Sequence, residues 1–127
     1  LKTLIQNRFP KILVECYENG KQNSKLFDTD LLINTTSVGM YPNIDTLPIS
    51  PSLFSQNTIF YDIIYKPNKT KLLFEAEKQG NATINGLQML INQAIYSQYI
   101  WNESLINKTI DSIKLEEAIT NEIPIEN

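Results

Sequence analysis

The sequence predicts an α/β fold built around a mostly parallel sheet. Short apolar runs alternate with helical patterns along the chain, the signature of layered strands and helices. One run, Leu31-Leu32-Ile33, is continuously apolar, as expected of a strand covered on both faces. No internal repeat of roughly 20–50 residues is visible, which argues against a solenoid or propeller. The 127 residues suffice for one domain with one core.

Lys2 to Phe9 reads as the end of a helix stopped by Pro10. Lys11 to Tyr17 reads as a strand carrying Ile12, Leu13 and Val14, with Cys16 a small core residue, and Glu18-Asn19-Gly20 closes it. Asn23 to Asp30 is polar connection. Gly39-Met40-Tyr41-Pro42-Asn43 breaks the strand that starts at Leu31, and Pro48 and Pro51 keep the next segment irregular or in a short helix. Thr58 to Tyr65 is another buried-type strand, interrupted by one carboxylate, Asp62.

Pro67 ends that strand, Thr70 caps a helix running through Gln79, and Gly80 stands just past its end. Ala82-Thr83-Ile84 is short enough to be the last strand. From Gly86 to Trp101, Leu87, Leu90, Ile91, Ala94 and Ile95 recur at helical spacing. A final helix is expected from about Ile110 to Thr120, and Asn121 to Asn127 reads as frayed tail.

Composition excludes several functions. Eleven basic and fourteen acidic side chains give a net charge of −3 with no basic stripe, which argues against a nucleic-acid surface. No apolar stretch approaches the ~20 residues of a membrane helix. No charged head and apolar stretch open the chain, so no export signal and a cytoplasmic location are expected. One cysteine and no histidine leave no internal disulfide, no His-based triad and no His/Cys metal site. The chain starts at Leu1, not Met, which suggests a piece of something larger.

Three segments carry more than packing requires. Asn34-Thr35-Thr36-Ser37-Val38-Gly39-Met40 follows a buried strand, and the carboxyl end of a parallel strand is where such sheets bind ligands. On composition alone, a turn held by its own Thr, Ser and Gly is the preferred reading. In Asp62-Ile63-Ile64-Tyr65-Lys66-Pro67, Tyr65 offers a hydroxyl on an apolar arm. Asp62 needs a partner, and hydrogen bonds from a nearby loop are its preferred reading. On the helix that starts near Gly86, positions 86, 89, 90, 93 and 97 share one face, with Gln93 able to read a hydroxyl or simply solvated.

Together these segments resemble the shikimate dehydrogenase family. The resemblance rests on Leu31 to Met40, on Tyr61 to Pro67 followed by Thr70, Leu72, Leu73, Ala76 and Gly80, and on Asn85 to Leu90 with Gln93, Ala94 and Trp101. It implies a partial Rossmann-like three-layer domain with a mostly parallel sheet, lacking the first strands and the Gly-rich turn. Residues 1–127 would be the C-terminal portion of an NAD(P)-binding domain plus closing C-terminal helices. The family's reaction is reversible hydride transfer between NADPH and 3-dehydroshikimate, in aromatic amino-acid biosynthesis.

Carried over by the resemblance, Thr35, Thr36 and Ser37 would line NADP, with Ile63, Gly86, Met89 and Leu90 on its nicotinamide side. Tyr65 and Gln93 would contact shikimate or 3-dehydroshikimate. The family's catalytic Lys and its Asp partner belong to an N-terminal domain and have no counterpart here, so the chain alone is expected to be inactive. The family's 2′-phosphate motif has only an echo in Asn7-Arg8-Phe9, and Arg8 reads as a helix-surface residue. A quinate/shikimate dehydrogenase using NAD and a free-standing, non-catalytic binding module are the alternatives. In a sheet ordered 3-2-1-4-5-6, Leu31 to Thr35 would be the fourth strand and Lys11 to Tyr17 the third. The edge beside Leu31 would then lack its neighbour, and pairing of two copies there is expected.

Overall fold

The computed structural model describes residues 2–18, 28–102 and 110–122. Three parallel strands form the sheet in the order β1 (Leu31–Asn34), β2 (Ile59–Asp62) and β3 (Thr83–Ile84). The register sets Leu31 opposite Ile59, Asn34 opposite Asp62 and Phe60 opposite Thr83. The parallel α/β class expected from the alternation of runs and helices is the one observed.

Side chains alternate across a strand, so each strand contributes to two faces. On one face Phe60 is fully buried and packs with Phe54, Leu72, Leu73 and Ala76, flanked by Leu32, Leu47, Ile49 and Leu53. The Phe54 and Phe60 rings meet edge to face at 5.5 Å. Burying a side chain such as Phe60 stabilises the fold by about 1.5–3 kcal/mol. Leu72, Leu73 and Ala76 come from the helix Lys71–Lys78, which connects β2 to β3. The 3₁₀ turn Pro51–Leu53, in the connection from β1 to β2, packs on this face too.

That helix starts where its capping residue predicts. The Thr70 hydroxyl accepts from the Leu73 amide, and Gly80 ends the turn after it at a φ of +89°, a conformation that glycine adopts without cost. Asn81 Nδ2 then donates to the carbonyls of Ser55 (2.8 Å) and Thr58 (2.9 Å), fixing the approach to β3 against the start of β2.

The other face departs from the expectation of a strand covered on both sides. Leu31, Ile33, Ile59 and Ile84 point there and remain 39–49% exposed, because no helix of the described residues packs over them.

The N-terminal segment also departs from expectation. Helix α1 (Lys2–Arg8) ends before Pro10 as predicted. Residues 11–17 form no strand, although their apolar run reads as one. Gln6 holds them instead: its Nε2 donates to the Ile12 carbonyl (2.5 Å) and its Oε1 accepts from the Val14 amide (3.1 Å). These bonds tie the segment back to α1, and Cys16 is exposed, not a core residue. Arg8 is on the helix surface, 6.0 Å from the Phe9 ring.

In chain order the helix Lys71–Lys78 is α2, followed by α3 (Leu87–Trp101) and α4 (Ser112–Glu122). Helices α3 and α4 pack against each other. Of the expected stripe on α3, Ile91 is fully buried, Leu87, Leu90 and Ile95 are half-buried, and Ala94 is exposed. Helix α4 begins two residues later than predicted, because Asp111 Oδ1 accepts from the Ile113 and Lys114 amides and caps it. Asn121 and Glu122, expected to begin a frayed tail, instead close α4; the turn at Asn19-Gly20, most of the polar connection after Asn23 and residues 123–127 lie outside the described residues. Among the described residues, no helix is long and apolar enough to cross a membrane.

Candidate functional site

The carboxyl ends of β1 and β2 are joined through two side chains. Asn34 closes β1 and Asp62 closes β2, and both are buried, Asp62 completely. Asp62 Oδ1 accepts from Asn34 Nδ2 (3.1 Å) and from the Ile64 amide (3.1 Å), and its Oδ2 accepts from the Thr70 hydroxyl (2.7 Å). A buried carboxylate is tolerated when donors surround it in this way. The reading of Asp62 as a partner for nearby loop donors therefore holds, and it extends to the cap of α2.

Asn34 then shapes the loop after β1. Its Oδ1 accepts from the Thr36 amide (3.1 Å) and hydroxyl (2.7 Å), and its Nδ2 also donates to the Val38 carbonyl (3.3 Å). The Thr36 hydroxyl accepts in turn from the Val38 amide (3.2 Å). Thr35, Thr36 and Ser37 all stand exposed at the strand's carboxyl end. Thr36 spends its hydroxyl on the loop itself, as the turn reading of this segment expects.

The third segment is seated on the second. The Ile63 amide donates to the Asn34 carbonyl (3.2 Å), and the Gly86 amide donates to the Ile64 carbonyl (3.1 Å). Gly86 caps α3 and is buried against Ile63, with room for no side chain between them. Asn85 supports this start, accepting from the Leu87 amide (3.2 Å) and donating to Asn68. From there Met89 (40% exposed), Leu90 and Gln93 follow at helical spacing, Leu90 half-buried and Gln93 exposed.

Tyr65 lines an open cavity of about 460 Å³ together with Met40, Tyr41, Ile64 and Lys66. Both loops that border it turn through cis prolyl bonds, Tyr41-Pro42 and Lys66-Pro67. The cavity size is within the range of small-ligand sites, ~300–1,000 Å³. Its walls are mainly apolar side chains, with the Tyr65 hydroxyl and Lys66 ammonium as the polar groups that could orient a ligand. Gln93 and Met89 are not among its lining residues. Sequence reasoning did not single out Met40, Tyr41 or Lys66 as cavity residues, although Met40 and Lys66 lie within the segments it named. Among the described residues, no group of three metal-ligating side chains is present.

Comparison with known proteins decides the family. The chain is 43% identical over 92 residues to a shikimate dehydrogenase (NADP+) of Caldanaerobacter subterraneus, which covers 72% of this chain and 33% of that protein. The chain belongs, as a partial domain, to the shikimate dehydrogenase family. A shikimate dehydrogenase crystallised with NADP+ superposes with a TM-score of 0.68 at 36% identity, covering 75% of this chain and 32% of that one. A 5-ketofructose reductase of Gluconobacter superposes with a TM-score of 0.64 at 31% identity, covering 75% and 33%. No family model matches. The chain spans about a third of the length of the curated relatives it matches.

Proposed function

We propose that residues 1–127 are the C-terminal portion of the NADP-binding, Rossmann-like domain of a shikimate dehydrogenase, with the closing helices. The observation that carries this reading is the convergence of three segments at the carboxyl ends of parallel strands, tied together by Asp62, Asn34 and Gly86. Ligands of open α/β sheets bind in that place.

In this reading Thr35, Thr36 and Ser37 line the cofactor, and Ile63, Gly86, Met89 and Leu90 bound its nicotinamide. The fit to NADP is supported by the exposed Thr35 and Ser37 on a loop that Asn34 holds rigid. NADP supplies or accepts the hydride exchanged with the carbonyl carbon of 3-dehydroshikimate. Tyr65, on the cavity wall, and Gln93, one turn along α3 from Met89, orient that substrate through hydrogen bonds. The proton at the substrate oxygen is handled by a lysine and its aspartate partner on an N-terminal domain, which the resemblance implies and these residues do not supply.

The test uses the chain fused behind the two thirds of the Caldanaerobacter relative that it does not match. In that enzyme Tyr65→Phe and Gln93→Ala lower kcat/KM for shikimate, each by the ~0.5–3 kcal/mol of a lost hydrogen bond, and leave KM for NADP+ unchanged. Variants with parental kinetics would remove both assignments.

A further inference from the structure

Lys66 stands apart from the lysines that follow it. Lys69 pairs with Glu77 (2.6 Å), Lys78 pairs with Glu75 (3.3 Å), and Lys71 donates to the Asp45 carbonyl (2.8 Å). Lys66 has no hydrogen bond or ion pair among the described residues, and it lines the cavity beside Tyr65. An unpartnered ammonium on an open surface is simply hydrated. This one shares a wall with Met40, Tyr41 and Ile64, which offer mostly carbon.

The charges around the cavity do not cancel it. Among the described residues, no carboxylate lines the wall. Asp62, the acid nearest in sequence, is completely buried. Its two oxygens already accept from Asn34, the Ile64 amide and Thr70, so it offers Lys66 no ion pair. The ammonium is left as the one charged group on that wall among the described residues.

The donor pattern narrows what could sit there. An ammonium only donates hydrogen bonds. The Tyr65 hydroxyl, also without a partner among the described residues, can donate a second one. Two donors and a positive charge suit a carboxylate, and the carbon walls suit a compact hydrocarbon body. The backbone that leads into Lys66 is held, because the Ile64 amide donates to Asp62 and the Ile64 carbonyl accepts from Gly86.

We infer that Lys66 is a specificity-determining residue, whose ammonium receives the carboxylate of a small carbon-ring acid lying against Met40 and Ile64. A neutral molecule of the same shape fits these walls and lacks the ion pair. The inference deepens the proposed function and rests on it for the choice of a ring acid. Shikimate and 3-dehydroshikimate each carry one carboxylate, and Tyr65 and Gln93 alone bring no charge to meet it. The cavity is open, so water screens the pair and the preference it confers is roughly threefold to fivefold.

The test titrates cyclohexenecarboxylate and its neutral primary amide into the 127-residue chain, followed by NMR. The two probes share a ring and a shape and differ in charge. The carboxylate is expected to shift the Met40, Ile64 and Tyr65 signals and to bind roughly threefold to fivefold more tightly than the amide. Added salt narrows that gap. Lys66→Gln closes it by weakening the carboxylate alone, whereas Lys69→Gln, at a lysine already paired with Glu77, leaves it unchanged. Equal binding of the two probes would overturn the inference. So would a gap that survives in Lys66→Gln, or the absence of shifts at Met40, Ile64 and Tyr65 with either probe. Turnover is not read. A carboxylate preference without hydride transfer in the fused enzyme would defeat the proposed function alone, and turnover without the preference would defeat the role of Lys66 alone.

Discussion

Gly86 meets Ile63 so closely that a Cβ on Gly86 would fall 1.9 Å from the Ile63 carbonyl oxygen. Residues 23 positions apart in the chain are thus in backbone contact, and the start of α3 is seated on the end of β2. Gly86→Ala must push the two apart, and the Gly86 to Ile64 hydrogen bond lengthens with them. Overpacking of this kind costs about 1–3 kcal/mol. Urea unfolding checks it, and a variant as stable as its parent would show that the contact yields freely.

Asn34→Ala removes one donor to the Asp62 carboxylate and both acceptor contacts that hold Thr36. Leaving a buried polar group short of a partner costs about 1–3 kcal/mol. The Thr36 and Val38 amides are expected to exchange faster while those of α2 keep their protection, because Thr70 still donates to Asp62. Unchanged exchange at Thr36 would contradict the assigned role of Asn34.

Glu77 provides a pH-dependent contribution to stability. Its carboxyl is held below the ordinary carboxylate range, first by the hydrogen bond from Lys69 (2.6 Å) and then by that from Thr83 (2.7 Å). A group whose pKa is lower folded than unfolded stabilises the fold above the unfolded value and loses that contribution as pH falls through the folded one. The pair is substantially exposed, so the contribution is at most about 1 kcal/mol. Glu77→Gln should therefore be slightly less stable than the parent at neutral pH, with the gap closing as pH drops below the usual carboxylate pKa of about 4.3. Thermal unfolding across this range checks it; a constant gap would contradict it.

NADP+ should bind the 127-residue chain weakly. Thr35 and Ser37 offer contacts at one strand end, but the sequence has no Gly-rich turn opening a helix toward a pyrophosphate. Calorimetry should give a Kd well above the micromolar range, and a micromolar value would contradict this account.

The elements held by local signals were legible in the sequence. Thr70 and Gly80 bound α2 as capping chemistry requires. Residues 11–17 were misread because strand propensity says nothing of whether a sheet position is within reach, and Gln6 captures that backbone first. Leu31-Leu32-Ile33 carries the composition of a strand buried on both faces, yet these residues bury one. The Asn34 to Asp62 bond spans 28 residues, and no periodicity encodes such a pairing.

The central claim is that these residues carry part of a hydride-transfer site and depend on another part for the proton and the phosphates. Shikimate-dependent reduction of NADP+ tests it, measured for the 127-residue chain alone and for the chain fused behind the unmatched two thirds of the Caldanaerobacter relative. The expected result is a rate at the level of the blank for the chain alone and clear turnover for the fusion. Turnover by the chain alone, or a folded fusion without any, would contradict the account.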